Sequence, residues 1–292
     1  MLKQQITPDA TVIERLQPPL EQAIRNRVIP QLLELHGAQG PLPETEALID
    51  SLLVGGDGQA QADAARSRGV SFDTVMLSLL APAARSLNDL WLQDRCSFAT
   101  VTLAMWRLRT LMRRLGDEAK VAPIADPTRS ILVSTLPGEQ HDFGAAMVSE
   151  FFARDGWIAQ HARPATMAAL VAEVRDSAPA LLGLSIGRTD ALPHLRATIA
   201  AIRRAMRRQA PAIMVGGAAL LVDPTIATRC GADGFSLCAR SALVEAARLV
   251  DERAYAFPNP PRKDRFVGLP NPRGGVSEPG PADHRATDRG RG

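Results

Sequence analysis

The sequence lacks long apolar runs, a signal-like start and a large number of cysteines, and each absence excludes a class of protein. No stretch approaches eighteen uninterrupted apolar residues, which excludes a membrane-spanning helix. The first residues contain no apolar signal core, so we expect a cytoplasmic protein without membrane contact. The three cysteines, Cys96, Cys230 and Cys238, are too few and too scattered for a disulfide framework or a cysteine-rich metal site.

A recognisable DNA-binding module is also missing, because nothing before Leu42 has the pattern of a helix-turn-helix or a zinc finger. The net charge is +3, and its distribution is uneven. From Phe257 to Gly292 the chain has seven Lys and Arg against four Asp and Glu, among many Pro and Gly residues. We expect this tail to be disordered, because it has too few apolar residues to offset its ordering entropy. Its positive charge suits at most a weak or indirect contact with DNA phosphates.

Apolar strand-like segments alternate with helical segments in the second half of the chain. The strand segments are 131–134, 157–161, 181–185, a segment that ends in Gly216 and Gly217, and 231–235. Such alternation is typical of a parallel, doubly wound sheet. We therefore predict a five-stranded α/β domain of the flavodoxin or Rossmann-like type, closed by a helix.

The region before this domain has the periodicity of helices. Ser71 and Ser97 are each placed to cap a helix. The apolar residues that follow the caps recur at near-helical spacing: Val75, Leu79, Leu80 and Leu87 after the first, and Leu103, Leu108 and Leu111 after the second. Two long helices predict a bundle.

The predicted organisation has five parts. An N-terminal helical extension covers 1–42, a cap-like helical bundle 43–118 and a linker 119–128. The α/β domain covers 129–252, and the basic tail covers 253–292.

Glu139, His141 and Gly144 form an E-x-H-x-x-G pattern between the first strand and the helix that follows it. An imidazole at this point stands at the carboxyl edge of the sheet, where open α/β folds bind ligands. A carboxylate two residues earlier can orient its ring, which suits a metal held from one side. The same three positions recur by accident in many sequences, and a lone loop histidine is more often a surface group.

This pattern, followed by Ser185 and a glycine pair, resembles the cobalamin-binding domain family, which has D-x-H-x-x-G, then S-x-L, then G-G. The resemblance implies that His141 is the lower ligand of cobalt, that Glu139 orients its ring and that Gly144 lets the cofactor approach closely. The slot for the nucleotide tail would be lined by Ser185, Gly187, Gly216 and Gly217. Two positions depart from the family pattern: Glu139 replaces Asp, and Gly187 stands where the family has Leu.

The upstream helical region resembles the cap that precedes this domain in corrinoid proteins and in light-sensing cobalamin regulators. The resemblance implies that Trp91 covers the upper face of the corrin, although a lone Trp at helical spacing is more often a core residue. Regulators that use adenosylcobalamin have a Glu-His pair ten residues later, where this chain has Val101 and Thr102. We therefore expect hydroxo- or methylcobalamin rather than the adenosyl form.

The whole layout resembles the cobalamin-binding antirepressors that control photosynthesis genes in purple bacteria. The resemblance implies a non-enzymatic regulator that responds to light or redox state and acts on a partner repressor protein. A corrinoid methyl carrier that works with methyltransferases shares the same cap and domain, and it is the main alternative.

Two further alternatives carry less weight. Gly183, Ser185 and Gly187 satisfy the G-x-S-x-G pattern of α/β-hydrolases, but neither His194 nor His284 suits the histidine that such an enzyme needs. A histidine in a sensor domain also binds haem iron. Ser185 and the glycine pair favour a cofactor with a long tail, so haem ranks below cobalamin.

Overall fold

The structure, a computed structural model, describes residues 40–119, 129–139 and 142–256. The predicted extension up to residue 39, most of the linker, His141 and the basic tail beyond Ala256 lie outside the described residues. No helix in the described ranges is both long enough and apolar enough to cross a membrane.

Four helical segments form the bundle. They are α1 (Thr45–Val54), α2 (Gln59–Ser67), α3 (72–92) and α4 (Phe98–Glu118). Helix α3 has three parts: Phe72–Val75, a π-helical turn at Met76–Leu80, and Ala81–Leu92. The hydroxyl of Ser71 accepts a hydrogen bond from the backbone N of Thr74 at 3.3 Å, and that of Ser97 from Thr100 at 3.1 Å. Both predicted caps are thus confirmed.

The bundle core is built from leucines on facing sides of the helices. Leu48, Leu79, Leu87, Leu108 and Leu111 are all fully buried. Leu103 lies in α4 as predicted, but its side chain is 52% exposed and is not part of this core. At 3.6 residues per turn, a residue five positions before Leu108 lies far around α4 from the buried stripe.

The second half of the described chain is a parallel sheet wrapped by helices on both faces. Its elements in chain order are β1 (Ser130–Thr135), α5 (Phe143–Arg154), β2 (Ile158–Ala162), α6 (Met167–Ser177), β3 (Leu181–Ser185), α7 (Leu192–Met206), β4 (Ala212–Gly216), α8 (Ala218–Val222), α9 (Thr225–Arg229), β5 (Gly234–Phe235) and α10 (Ala239–Ala256). The strand order is β2-β1-β3-β4-β5, with every neighbouring pair parallel. The predicted doubly wound, five-stranded fold is confirmed. The last helix runs four residues past the predicted boundary at 252.

Alternate side chains of β1 enter different cores, because successive residues of a strand point to opposite faces. Ile131 and Val133 pack with Phe152 and Trp157 on the face covered by α5 and α10. Leu132 belongs to the core under α6 and α7.

Helix α5 also belongs to the bundle core, into which it inserts Phe143, Met147 and Phe151. The described residues of the bundle and of the sheet therefore lie in one compact unit.

Candidate functional site

The strand order places a crevice at the carboxyl ends of β1 and β3. These neighbouring strands continue into α5 on one face of the sheet and α7 on the other, which is the topological switch point where such folds bind ligands. Register pairs Thr135 with Ser185, and Ser185 with Gly216, so the three residues form a row across the strand ends. The row lies on the face covered by α5 and α10, since Ile131 and Val133 alternate onto that face with Thr135.

Thr135 is a member of this row that the sequence did not single out. Its side chain is almost fully buried, and its hydroxyl has no hydrogen-bond partner among the described residues. A buried polar atom is normally satisfied by protein, water or ligand. The Thr135 hydroxyl is thus available to a polar ligand group at the strand ends. In the sequence this residue looks like the last position of an apolar strand, which carries no functional signal.

The glycine pair has a structural role of its own at this edge. Gly217 has φ +110°, and a Cβ there would lie 2.4 Å from the carbonyl oxygen of Ile186. The backbone N of Ile186 donates to the carbonyl of Gly216 at 2.9 Å. The ends of β3 and β4 therefore approach so closely that Gly217 has to be glycine. Because Gly216 and Gly217 have no side chains, this end of the row is also free of bulky groups.

The two departures from the family pattern lie against each other. A Cβ on Gly187 would be 3.6 Å from Oε2 of Glu139. The longer side chain of Glu139 thus occupies space that the smaller residue at 187 leaves open. The position of Glu139 is set by a turn, in which its backbone N donates to the carbonyl of Leu136 at 3.0 Å.

His141 itself lies outside the described residues, so its role as cobalt ligand and its orientation by Glu139 stay predictions. Gly144 is described, at the start of α5, and among the described residues no other group lies within 4 Å of the position that its Cβ would take. The first turn of α5 therefore has an open side at this residue. Such space fits a glycine that lets a cofactor approach closely.

Asp142 follows His141 directly and is the centre of a charged cluster that the sequence did not reveal. Its side chain is nearly fully buried, and both of its oxygens accept hydrogen bonds from the guanidinium group of Arg109 on α4. Nε of Arg163 lies 3.0 Å from Oδ2 of Asp142. Arg109 is 33 residues away in sequence, and such long-range pairs have no local pattern.

His161 completes the surroundings of Asp142. Its Nε2 atom lies 4.0 Å from Oδ2 of Asp142, is buried and has no hydrogen-bond partner among the described residues. Burial lowers the pKa of His161 below its usual value, although the negative charge of Asp142 acts in the opposite direction. The imidazole is therefore neutral near pH 7, and two arginines balance the charge of Asp142.

Trp91 lies on the bundle rather than in the row at the strand ends. It is 37% exposed, and its ring packs edge-on against that of Phe98 with 6.2 Å between centroids. Arg109 of α4 binds Asp142 at the start of α5. Further along both helices, a Cβ on Gly116 of α4 would lie 2.8 Å from Oε2 of Glu150 of α5. Helices α4 and α5 thus run in the same direction. The first half of α4, which begins at Phe98, therefore extends beyond the start of α5, on the ligand side of the sheet. Trp91 of α3 packs on Phe98 at this end.

Two cavities in the described part of the chain lie elsewhere. One of about 180 Å³ is lined by Arg66, Phe72, Val75, Leu115 and Ala119 of the bundle. The other, of about 300 Å³, is a groove on α7 and α9 that includes Arg196, Arg203, Arg229 and Cys230. Neither contains a residue of the predicted cofactor site.

The fold and the edge residues define a flavodoxin-like ligand-binding domain joined to a helical bundle. Residues 129–247 match the model of the B12 binding domain. Over these residues the match confirms the domain that the sequence resemblance predicted, and the cofactor class of that domain is cobalamin.

Similar proteins come from bacteria and archaea. A 20.5 kDa protein encoded in the bchF-crtJ intergenic region of Rhodobacter capsulatus is 27% identical over 175 residues, which cover 59% of this chain and 89% of that protein. The monomethylamine corrinoid protein of Methanosarcina barkeri is 18% identical, with a TM-score of 0.53, over 70% of this chain and 96% of its own. A cobalamin-binding protein from Desulfitobacterium hafniense is 18% identical over 71% of this chain and 99% of its own, with a TM-score of 0.38.

The described residues fit a cobalamin. The unsatisfied hydroxyl of Thr135, the row of small residues beside it and the open side of Gly144 all lie where the chain leaves β1 and β3. A group with a polar tail would meet a hydroxyl donor and little steric hindrance there.

Proposed function

We propose that this chain is a cytoplasmic cobalamin-binding regulator that responds to light or redox state and acts as an antirepressor on a repressor of photosynthesis genes. It is not an enzyme in this proposal. The observation that carries the cofactor part is the match of residues 129–247 to the B12 binding domain. The regulatory part rests on the resemblance of the whole layout and on the gene position of one relative.

In this proposal His141 would hold the cobalt and Glu139 would orient its ring, with Gly187 leaving room for the longer carboxylate. Thr135 and Ser185 offer hydroxyl groups to the nucleotide tail, and Gly216 and Gly217 keep its path free of side chains. Bound cobalamin supplies an upper-ligand bond that light or a change of redox state alters. The protein binds and orients the cofactor, and limits what surrounds its upper face.

The residues that replace the Glu-His pair support a small upper ligand. Val101 is buried within the bundle core, and the hydroxyl of Thr102 donates to the carbonyl of Phe98 in its own helix at 2.7 Å. Neither side chain is therefore free to hold or guard a bulky group. Hydroxo- or methylcobalamin fits this arrangement better than adenosylcobalamin.

A protein partner is supported by exposed apolar residues on the bundle. Leu92, Phe98, Leu103 and Trp106 are between 52% and 68% exposed, and they are concentrated at the end of α3 and the first half of α4. A group of exposed apolar residues on a protein surface commonly marks a site of interaction with another protein. We assign this patch, called the α4 patch below, to the repressor.

The choice between regulator and methyl carrier rests on the relative from Rhodobacter capsulatus. Its place in the bchF-crtJ intergenic region fits the resemblance to photosynthesis antirepressors. The likeness to the monomethylamine corrinoid protein is one of fold and does not favour a carrier, because the identity is only 18%.

The test is whether the loaded protein changes the DNA binding of a photosynthesis-gene repressor from the same organism. Fluorescence anisotropy of labelled operator DNA is measured with the repressor and hydroxocobalamin-loaded protein, in the dark and after illumination or reduction. We expect the repressor's apparent dissociation constant for DNA to change when loaded protein is added, and to differ between the two cofactor states. The cobalamin-free protein is the control. Unchanged DNA binding in every state, together with methyl transfer to or from a methyltransferase, would establish the carrier instead.

A further inference from the structure

The carboxylate of Asp142 is directed to the bundle instead of to its own helix. Asp142 occupies the N-cap position of α5, where an aspartate normally accepts from a backbone N–H of the first turn. Its side chain makes no such bond. Both oxygens bind Arg109 of α4 instead, and Oδ2 also contacts Arg163. The ion pair therefore replaces the usual cap.

This ion pair connects two parts of the molecule next to the predicted cobalt ligand. A single peptide bond separates Asp142 from His141, and Phe143 on its other side is buried in the bundle core. Arg109 lies one turn of α4 after Trp106, which belongs to the α4 patch. Asp142 and Arg109 thus link the residue next to His141 to the helix that carries the patch.

The burial of the pair makes the connection specific. Side-chain exposure is 4% for Asp142 and 21% for Arg109, so water competes little for either group. Another arginine of the same helix offers a contrast, because Arg114 binds Asp57 at 2.9 Å with both side chains largely exposed. Arg114 holds α4 to Asp57 and Gln59, and it makes no hydrogen bond or ion pair with the described residues of the β1–α5 loop.

We infer that Arg109 and Asp142 form a positioning pair that couples cobalt ligation by His141 to α4 and its exposed patch. The inference rests on the proposed function, because it assumes that His141 binds the cofactor. Coupling of this kind is reciprocal: if ligation fixes α4, then fixing α4 favours ligation to the same extent. Loss of the pair lowers cofactor affinity without removing any group that touches the cofactor.

The test compares Arg109→Gln with Arg114→Gln, and Arg109→Lys as the conservative variant. Hydroxocobalamin is titrated into each full-length protein, and the visible spectrum of the bound form is recorded. We expect Arg109→Gln to weaken binding by about tenfold to a hundredfold, as for other residues that support a metal ligand, and to alter the spectrum. Arg109→Lys should recover part of the affinity, and Arg114→Gln should match the unmodified protein.

Hydrogen exchange of the first turn of α5 and of residues 98–108 supplies a measurement that does not depend on cofactor chemistry. In the cobalamin-free protein, exchange in the first turn of α5 should be faster in Arg109→Gln than in Arg114→Gln. Loading with hydroxocobalamin should slow exchange in residues 98–108 of the unmodified protein and have little effect in Arg109→Gln.

Three results separate failure of the coupling, failure of the ion pair to hold the loop, and failure of cofactor binding. Equal affinities and spectra for the two glutamine variants would overturn the coupling, even if both bind cobalamin. Equal exchange in the cobalamin-free variants would show that the pair does not hold the loop. Failure of the unmodified protein to bind cobalamin would overturn the proposed function, and with it the coupling.

Discussion

Gly144 is a residue at which protein stability and cofactor binding can be separated. The position that its Cβ would take is open, and alanine is the better helix former, so Gly144→Ala should leave the free energy of unfolding unchanged or raise it by up to about 1 kcal/mol. If cobalamin occupies that space, the same change should weaken hydroxocobalamin binding by about tenfold, because an added methyl group overpacks the contact. Urea unfolding and cofactor titration measure the two effects.

Gly40→Ala is the matched control for this change, since no other group in the described part of the chain lies within 4 Å of its Cβ position either, and it is far from the motif in sequence. It should affect neither measurement. An unchanged cobalamin affinity in Gly144→Ala would remove Gly144 from the site.

Glu139 and Gly187 form a size-matched pair that predicts a non-additive double mutant. Leucine at 187, the family residue, would place its branched end against the Glu139 carboxylate, because a Cβ is already 3.6 Å from Oε2. We expect Gly187→Leu to weaken cobalamin binding and Glu139→Asp to restore it in the double variant, with a coupling of about 1 kcal/mol. A cycle of hydroxocobalamin dissociation constants for the four proteins measures the coupling. Additive effects would show that the two departures from the family pattern are unrelated.

The sequence indicates the residues at this edge that belong to a local pattern, but not those that depend on tertiary contacts. Ser185 and the glycine pair follow strands, and their meeting at one edge follows from the parallel fold. Thr135 was missed because its unsatisfied hydroxyl becomes visible only after burial is known. Asp142 was missed because Arg109 reaches it from another part of the chain.

Among the elements, the strands were easier to predict than the bundle helices. Strand β1 is buried along its whole length, and its apolar run is bounded by polar residues. Helix α2 consists mainly of Ala, Gln and charged residues, and its buried residues are alanines, so it has no large apolar side chains that would mark a helical stripe in the sequence. The π-helical turn at Met76–Leu80 shifts the register of α3 and has no signature in a pattern of apolar residues.

The bundle offers two exposed tryptophans with different expected roles. Trp91 packs on Phe98 at the end of α3, whereas Trp106 lies further along α4 within the patch assigned to the repressor. We expect Trp91→Ala to reduce the affinity for methylcobalamin severalfold, because the variant loses one aromatic contact with the cofactor. Trp106→Ala should leave cofactor binding unchanged and reduce the effect of the loaded protein on repressor binding to DNA. The same titration and anisotropy measurements serve both variants.

Both side chains are exposed, so neither change should shift the thermal unfolding midpoint of the cobalamin-free protein strongly. If Trp106→Ala alone lost cofactor affinity, the roles of the two residues would be reversed. If neither variant changed cofactor binding, the predicted cap over the corrin would be wrong.

For the whole molecule, the bundle and the sheet share helix α5, and this sharing is the physical basis of the proposed regulatory function. Helix α5 begins beside the predicted cobalt ligand and inserts Phe143, Met147 and Phe151 into the bundle core. The packing of α5 therefore joins the carboxyl edge to the bundle, as the Asp142 ion pair also does.

The central claim is that His141 binds the cobalt of a cobalamin at this edge, and its most direct test is the visible absorption spectrum. The unmodified protein and His141→Ala are incubated with hydroxocobalamin, freed of unbound cofactor and compared in the dark and after illumination. We predict that the unmodified protein retains a cobalamin spectrum shifted from that of the free cofactor, and that His141→Ala remains folded but loses the cofactor. An identical spectrum and equal retention in both proteins would contradict the claim.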